Sequence, residues 1–151
     1  MRVAMVCVAI LAMAGSAEAQ NGKRLQLKDL PAAVQTTVQT NLKGGEIKSI
    51  GKQMEAGIQQ YEIETVLNGK SRDFNVDTKG NLLLVEEATS IDAIPDAAKA
   101  SILKRVAGGK LRTVEIFTKT GQAPMYEAAY TDTKGKKHEV LVKADGTETK
   151  E

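Results

Sequence analysis

Asp73-x-Asn75-x-Asp77 comes closest in this 151-residue chain to a set of metal ligands. Three oxygen-bearing side chains at alternate positions open an EF-hand calcium loop, in which glycine follows the third ligand and a bidentate glutamate stands at position twelve. Here Thr78 and Leu84 occupy those two places. Polar and apolar residues alternating along a strand account for the same three side chains without a metal. A zinc site needs several His, Cys or carboxylate ligands, and the chain has one histidine, His138, and one cysteine, Cys7. A serine–histidine nucleophile would therefore have to use His138, which shares strand parity with Val140 and Val142 in "KKHEVLV" and reads as a strand-end residue near solvent. Carboxylates stand close together at Glu62 with Glu64 and at Glu86 with Glu87. General acid–base work needs such pairs in unlike environments, whereas a solvated strand face produces them with no chemistry at all. The glycines fall in turns and caps, with no G-x-G-x-x-G or phosphate loop. The expectation is a protein that is not an enzyme, with no catalytic residues, no metal and no other cofactor.

The elements that carry these residues begin after an N-terminal stretch of a different kind. Arg2, an uncharged apolar run from Val3 to Ala14 and the small-residue pattern Ala17-Glu18-Ala19 have the three-part order of a secretory signal. Residues 1–19 are read as a signal peptide cleaved after Ala19, with Cys7 inside it. The apolar run is short of the ~20 residues that span a bilayer. Cleavage removes Arg2 and Glu18 together and leaves the formal net charge at +2, which gives no general attraction to nucleic acid or anionic lipid. A lysine-rich, cysteine-free exported domain suits a periplasmic or secreted location and uses no disulfides.

Beyond the leader the sequence reads as one unit written twice. Leu30-Pro31 and Ile94-Pro95 stand sixty-four residues apart, and at that offset Leu30, Val34, Val38 and Leu42 fall on Ile94, Ala98, Ile102 and Val106. Spacing by four makes one apolar helical stripe in each copy. Both stretches end in basic residues and then a glycine pair, Gly44-Gly45 and Gly108-Gly109, as a left-handed C-cap favours. Period-two alternation follows. Tyr61, Ile63, Thr65 and Leu67 face one way and Glu62 and Glu64 the other, with Phe74 and Val76 set against Asp73, Asn75 and Asp77. Asn68-Gly69 between two such runs signals a tight hairpin. Tyr126-Glu127 and Val140-Leu141-Val142 answer Tyr61-Glu62 and Phe74-Asn75-Val76. The fold class expected is α+β, with two helix-plus-antiparallel-sheet repeats over residues 20–88 and 89–151 and the helices on one face of the sheet. The short link Thr89–Ala93 favours packing of the two into one body, with a shared sheet as one arrangement.

These stretches, "DLPAAVQTTVQTNLKGGEIKSI", "YEIETVLNGKSRDFNVDTKGNLLLVEE" and "AIPDAAKASILKRVAGGKL", resemble PepSY-like domains, a group similar to the beta-lactamase-inhibitor protein fold. The second copy departs at Lys143, where the first has Asp77, and carries extra residues around Pro124. The resemblance implies an exported bacterial protein that binds or restrains another envelope protein, with peptidases the usual suggestion. The alternative is a soluble accessory or sensor component of an envelope stress or metal-response system. The partner expected is an envelope protein or peptide, with no nucleic acid and no membrane insertion after cleavage. A sheet with its helices on one face leaves the other to water. That places Glu62, Glu64, Asp73, Asn75, Asp77, Glu127, Glu139 and Leu141 on a candidate partner-binding face, with Leu141 or Tyr130 as exposed anchors. Two copies would supply about 800 Å² for one partner.

Overall fold

The computed structural model describes residues 24–150; the expected leader, its cleavage point and Cys7 lie outside them. A 3-10 turn (Leu27–Asp29) leads to α1 (Ala32–Leu42), β1 (Glu46–Glu55), β2 (Ile58–Leu67), β3 (Lys70–Asp77) and β4 (Leu82–Thr89). The order then runs again through a 3-10 turn (Ile91–Ala93), α2 (Asp96–Val106), β5 (Lys110–Lys119), β6 (Met125–Thr131), β7 (Lys137–Lys143) and the two-residue β8 (Glu148–Thr149).

Local chemistry sets these boundaries. Pro31 and Pro95 cap the two helices with φ of −55°, where a missing N–H leaves no bond unmade. After α1 the chain turns through Lys43 and Gly44 at φ 50° and 87°. The second glycine of each pair is needed for space. A Cβ on Gly45 would stand 2.8 Å from the Val66 carbonyl oxygen, and one on Gly109 would stand 2.3 Å from that of Thr131. Asn68 and Gly69 join β2 to β3 with φ of 52° and 79°, the type I′ geometry that matches the twist of the strands.

All eight strands form one antiparallel sheet in chain order, β1 through β8. The expected α+β class of two helix-plus-sheet repeats with helices covering one face is therefore corrected to a mostly β chain built on a single continuous sheet. The two 11-residue helices are the only α-helices among the described residues. What overturns the expectation is the pairing of β4 with β5, in unbroken register from Leu84 opposite Lys119 to Thr89 opposite Val114. Strand edges left open at that junction would carry unpaired N–H and C=O groups; pairing them to each other removes both edges and fuses the halves.

Three apolar clusters hold the sheet. Val34 and Val38 of α1 bury with Leu30, Tyr61, Ile63, Phe74 and Val76. Ala98, Ile102 and Val106 of α2 bury with Ile94, Val114, Ala128, Tyr130, Val140 and Val142. Leu84, Phe117 and Leu141 form the third cluster, with Met125 packed against it and no helix residue in it.

Candidate partner-binding face

Strand register decides which side chains share a face, because residues directly opposite in an antiparallel pair project to the same side. Ile63 is opposite Phe74 and Phe74 opposite Val85, so these lie on the side of the α1 cluster. Their neighbours Glu62 and Asn75, themselves opposite each other, project to the other side. From there the register continues across the junction: Asp73 pairs with Glu86, Glu86 with Phe117, Phe117 with Met125 and Met125 with Lys143. A parallel row runs through Ala88, Glu115, Glu127 and Leu141, and Glu139 stands opposite Ala129. The third apolar cluster and these carboxylates thus occupy the same face, opposite the helices.

Seven of the eight expected residues come together there: Glu62, Glu64, Asp73, Asn75, Glu127, Glu139 and Leu141. They are not equally available. Glu64 and Glu139 are exposed, Glu62 and Asp73 half-buried, while Asn75, Glu127 and Leu141 are buried at 7%, 9% and 5% exposure. Leu141 is therefore no exposed anchor; it packs beside Phe117 and Leu84. Tyr130 lies on the other side altogether, in the α2 cluster. Asp77 has the right parity, but its carboxylate closes the β3–β4 turn. Its Oδ1 accepts the backbone N–H groups of Lys79 and Asn81 at 2.8 Å each, and its Oδ2 accepts the Asn81 side-chain amide. These bonds, the Asn81 side-chain amide first, hold the Asp77 carboxyl below its usual range.

Sequence reasoning missed Glu86 and Glu115 as members of the face and Phe117 as its centre. All three follow from alternation once β4 and β5 are paired: Glu115 and Phe117 have the parity opposite to Val114 and Ile116. Phe117 is 1% exposed although no helix covers it. Leu84, Leu141 and Met125 surround it, and the Lys119 ammonium sits 5.5 Å from its ring centroid.

Carboxylates crowd the middle of this face, where Asp73 stands opposite Glu86 and Glu115 opposite Glu127. Burial, followed by the charges of Glu64, Asp73 and Glu55, raises the Glu62 carboxyl above its ordinary value. Burial, then the charges of Asp73 and Glu139, raises Glu115. Asp73 is raised chiefly by burial even though its carboxylate accepts the Thr65 backbone N–H at 2.9 Å and the Ser71 hydroxyl at 3.0 Å. Ser49 donates its hydroxyl to Glu64 at 2.5 Å. Among the described residues no lysine or arginine forms an ion pair with Glu62, Glu64, Asp73 or Glu115. Lysines share this face at strand ends: Lys110, opposite Thr131, and Lys119, Lys137 and Lys143.

The other sequence candidates are structural in their contacts. His138 Nε2 lies 2.8 Å from Asp132 Oδ2, and its ring stacks on Tyr130 with centroids 5.2 Å apart. Asp132 also accepts the backbone N–H groups of Lys134 and Lys136, so the imidazole braces the β6–β7 turn. Glu87 accepts the guanidinium of Arg72 at 2.8 Å. Arg72, 4% exposed, also donates to the Asn41 carbonyl at the end of α1. Among the described residues no group of three or more His, Cys, Asp or Glu is placed to hold a metal ion. A shallow hollow of ≈ 340 Å³ beside Ala88, Leu111 and Val114 has Arg112 as its one charged lining residue.

No protein-family model matches the chain, and no curated protein matches it. Solved structures do. A Bacteroides eggerthii protein provisionally described as periplasmic superposes with a TM-score of 0.67 at 14% identity, over 80% of this chain and 86% of that one. A DUF2874 family protein from Bacteroides uniformis gives 0.65 at 14% identity, again over 80% and 86%. A BLIP-like protein from Bacteroides fragilis gives 0.60 at 16% identity, over 80% and 84%. The fold is BLIP-like. At these identities the likeness is one of fold alone, and no helix among the described residues is long and apolar enough to cross a membrane.

Proposed function

We infer that this chain is an exported, non-enzymatic binding protein of the bacterial envelope, and that the face opposite its helices receives a protein or peptide partner. The observation that carries this reading is the makeup of that face. An apolar cluster of Leu84, Phe117 and Leu141, with Met125 packed against it and no helix residue in it, lies among carboxylates on that face. Apolar centres with polar rims are the anatomy of protein interfaces. The three-part order of residues 1–19 and the BLIP-like fold support a periplasmic or secreted location. The repeated element order and the sixty-four-residue offset support duplication of a PepSY-like unit, residues 20–88 and 89–151. Duplication with β4 paired to β5 puts the junction, and with it Glu86 and Phe117, in the middle of the face rather than at an edge.

The test is capture of partners from periplasmic extract with the wild-type protein and with a variant reversed in charge at Glu62, Glu64 and Glu115. These three are accessible, whereas buried Glu127 would confound binding with folding. Loss of the captured partner with thermal stability unchanged or raised supports the reading. Undiminished capture places the site elsewhere, the unpaired edge of β1 being open to an extended peptide.

A further inference from the structure

We propose that Asn68-Gly69, the turn between β2 and β3, is a site of self-modification at which the asparagine amide is lost and the backbone rearranges to isoaspartate without an enzyme. This does not rest on the partner-binding reading. The nucleophile is the backbone nitrogen of Gly69, and the electrophile is the side-chain carbonyl carbon of Asn68. A C–N bond between them closes a succinimide ring. The Gly69 amide proton passes through solvent to the departing Asn68 nitrogen, which leaves as ammonia. Water then opens the ring at either carbonyl. One opening gives aspartate; the other gives isoaspartate, whose main chain is longer by one methylene. A side chain on the following residue hinders this attack, and glycine has none. Apart from its chain neighbours, no atom comes within 4 Å of where a Cβ on Gly69 would stand. Asn68 is exposed, and among the described residues its side chain makes no hydrogen bond. The other described asparagines are held. Asn41 donates to the Thr37 carbonyl and Asn81 to the Asp77 carboxylate, each at 2.8 Å, and Asn75 is 7% exposed. Leu42, Leu82 and Val76 follow them in place of glycine.

Ring closure needs the Asn68 backbone to rotate out of its turn conformation, at φ 52°, so the hairpin end has to open first. The register makes that opening local. β2 and β3 pair at Leu67–Lys70 and Val66–Ser71, are not paired at Thr65–Arg72 or Glu64–Asp73, and pair again from Ile63 opposite Phe74. At the gap the Asp73 carboxylate accepts the Thr65 N–H at 2.9 Å, and the Thr65 hydroxyl donates to the Arg72 carbonyl. β4 begins its pairing with β3 at Arg72, so Lys70 and Ser71 are held by β2 alone. Neither Val66 nor Leu67 belongs to an apolar cluster. Two pairs and a turn can therefore swing open with little packing lost, and such sub-global openings cost far less than unfolding. The products differ in their effect. Aspartate keeps the two-residue loop, whereas the extra methylene of isoaspartate breaks the loop length that fixes the register.

The experiment incubates the mature chain in mildly alkaline buffer, folded and in urea, and follows each asparagine by peptide mapping with mass spectrometry. The map separates aspartate from isoaspartate, and Asn68-Gly69 from Asn21-Gly22, the same dipeptide earlier in the sequence. The expected result is conversion of Asn68 in the folded chain, at a rate proportional to hydroxide, with Asn41, Asn75 and Asn81 intact. Local opening keeps that rate within about a hundredfold of the rate in urea. A requirement for global unfolding would slow it by roughly several thousandfold or more. Asn68→Gln, which can only close a larger ring, should release no ammonia from this site. The isolated isoaspartate form should melt below Asn68→Asp, which has the new charge without the longer backbone. An Asn68 that stays intact in the folded chain while the urea sample converts overturns the proposal. So does conversion of Asn81 at the same rate, which would show that exposure and the following glycine do not select the site.

Discussion

Replacing Phe117 by alanine distinguishes a second core from a solvated surface. Phe117 is 1% exposed on the face that no helix covers, and Phe74, also at 1%, is its counterpart within the α1 cluster. Truncating a fully buried phenylalanine removes its transfer free energy and leaves a cavity, at a cost of about 3–5 kcal/mol. The half-buried Met125 and the Lys119 stem beside the ring can relax into part of that space, which puts Phe117→Ala near the lower end, at roughly 3 kcal/mol. With an unfolding entropy of about 0.27 kcal/mol per kelvin for a body of this size, the melting temperature should fall by ~11 °C. Urea denaturation is the assay. The midpoint should shift with the slope unchanged, since the surface exposed on unfolding is almost the same. Phe74→Ala should cost as much or more. If Phe117→Ala costs less than about 1 kcal/mol, the level of an exposed substitution, while Phe74→Ala retains its full effect, the third cluster contributes little and the face is an ordinary wet surface.

Other consequences follow from the same geometry. Because β4 and β5 pair across the junction, calorimetry on the mature chain should show one unfolding transition, and a fragment ending at Glu87 should not reach the stability of the whole; two separated transitions would contradict the fused sheet. Ala56 is held at φ 47° in the β1–β2 turn, a conformation that asparagine tolerates better than alanine, so Ala56→Asn should stabilise by up to about 1 kcal/mol, read as a raised urea midpoint. Glu62, Asp73 and Glu115 are raised in the folded state. The folded chain therefore takes up these protons before the unfolded chain does, and the unfavourable contribution is full above the folded-state values and relieved as pH falls through them. Glu62→Gln/Glu115→Gln should then be more stable than wild type at neutral pH, with the advantage shrinking on acidification; a variant that is less stable at neutral pH would show that burial and like charge do not make these carboxylates unfavourable.

Much of the local structure was legible in the sequence, because each signal for it acts within a few residues. Pro31 and Pro95 mark helix starts through a missing N–H, and Asn68-Gly69 marks a hairpin through its tolerance of positive φ. Tyr61, Ile63, Phe74 and Val76 alternate because one side of their strands is dry. The fold class was not legible, because it turns on whether β4 pairs with β5, and edge pairing depends on backbone groups that every strand carries equally. The side chains of Leu82 to Val85 only hinted at the outcome, four apolar residues where a one-sided strand needs two. In the structure Leu84 joins the cluster opposite the helices, while Leu82 and Val85 pack with the α1 cluster.

That missing pairing also explains the errors at the site. Without β5 in register, Leu141 has no Phe117 beside it and reads as exposed. Joined, the same residues give a face whose centre is dry and whose surrounding acids stand against one another. These two features constrain each other. The apolar centre limits water and so strengthens the charge interactions at its margin, among them those of Asp73 with Glu64 and of Glu115 with Asp73 and Glu139. A single four-stranded unit would lack the third cluster, which joins Leu84 of the first half to Phe117 and Leu141 of the second. Fusing the sheet thus creates a surface that neither half possesses, with Leu84 of one half packed beside Phe117 and Leu141 of the other.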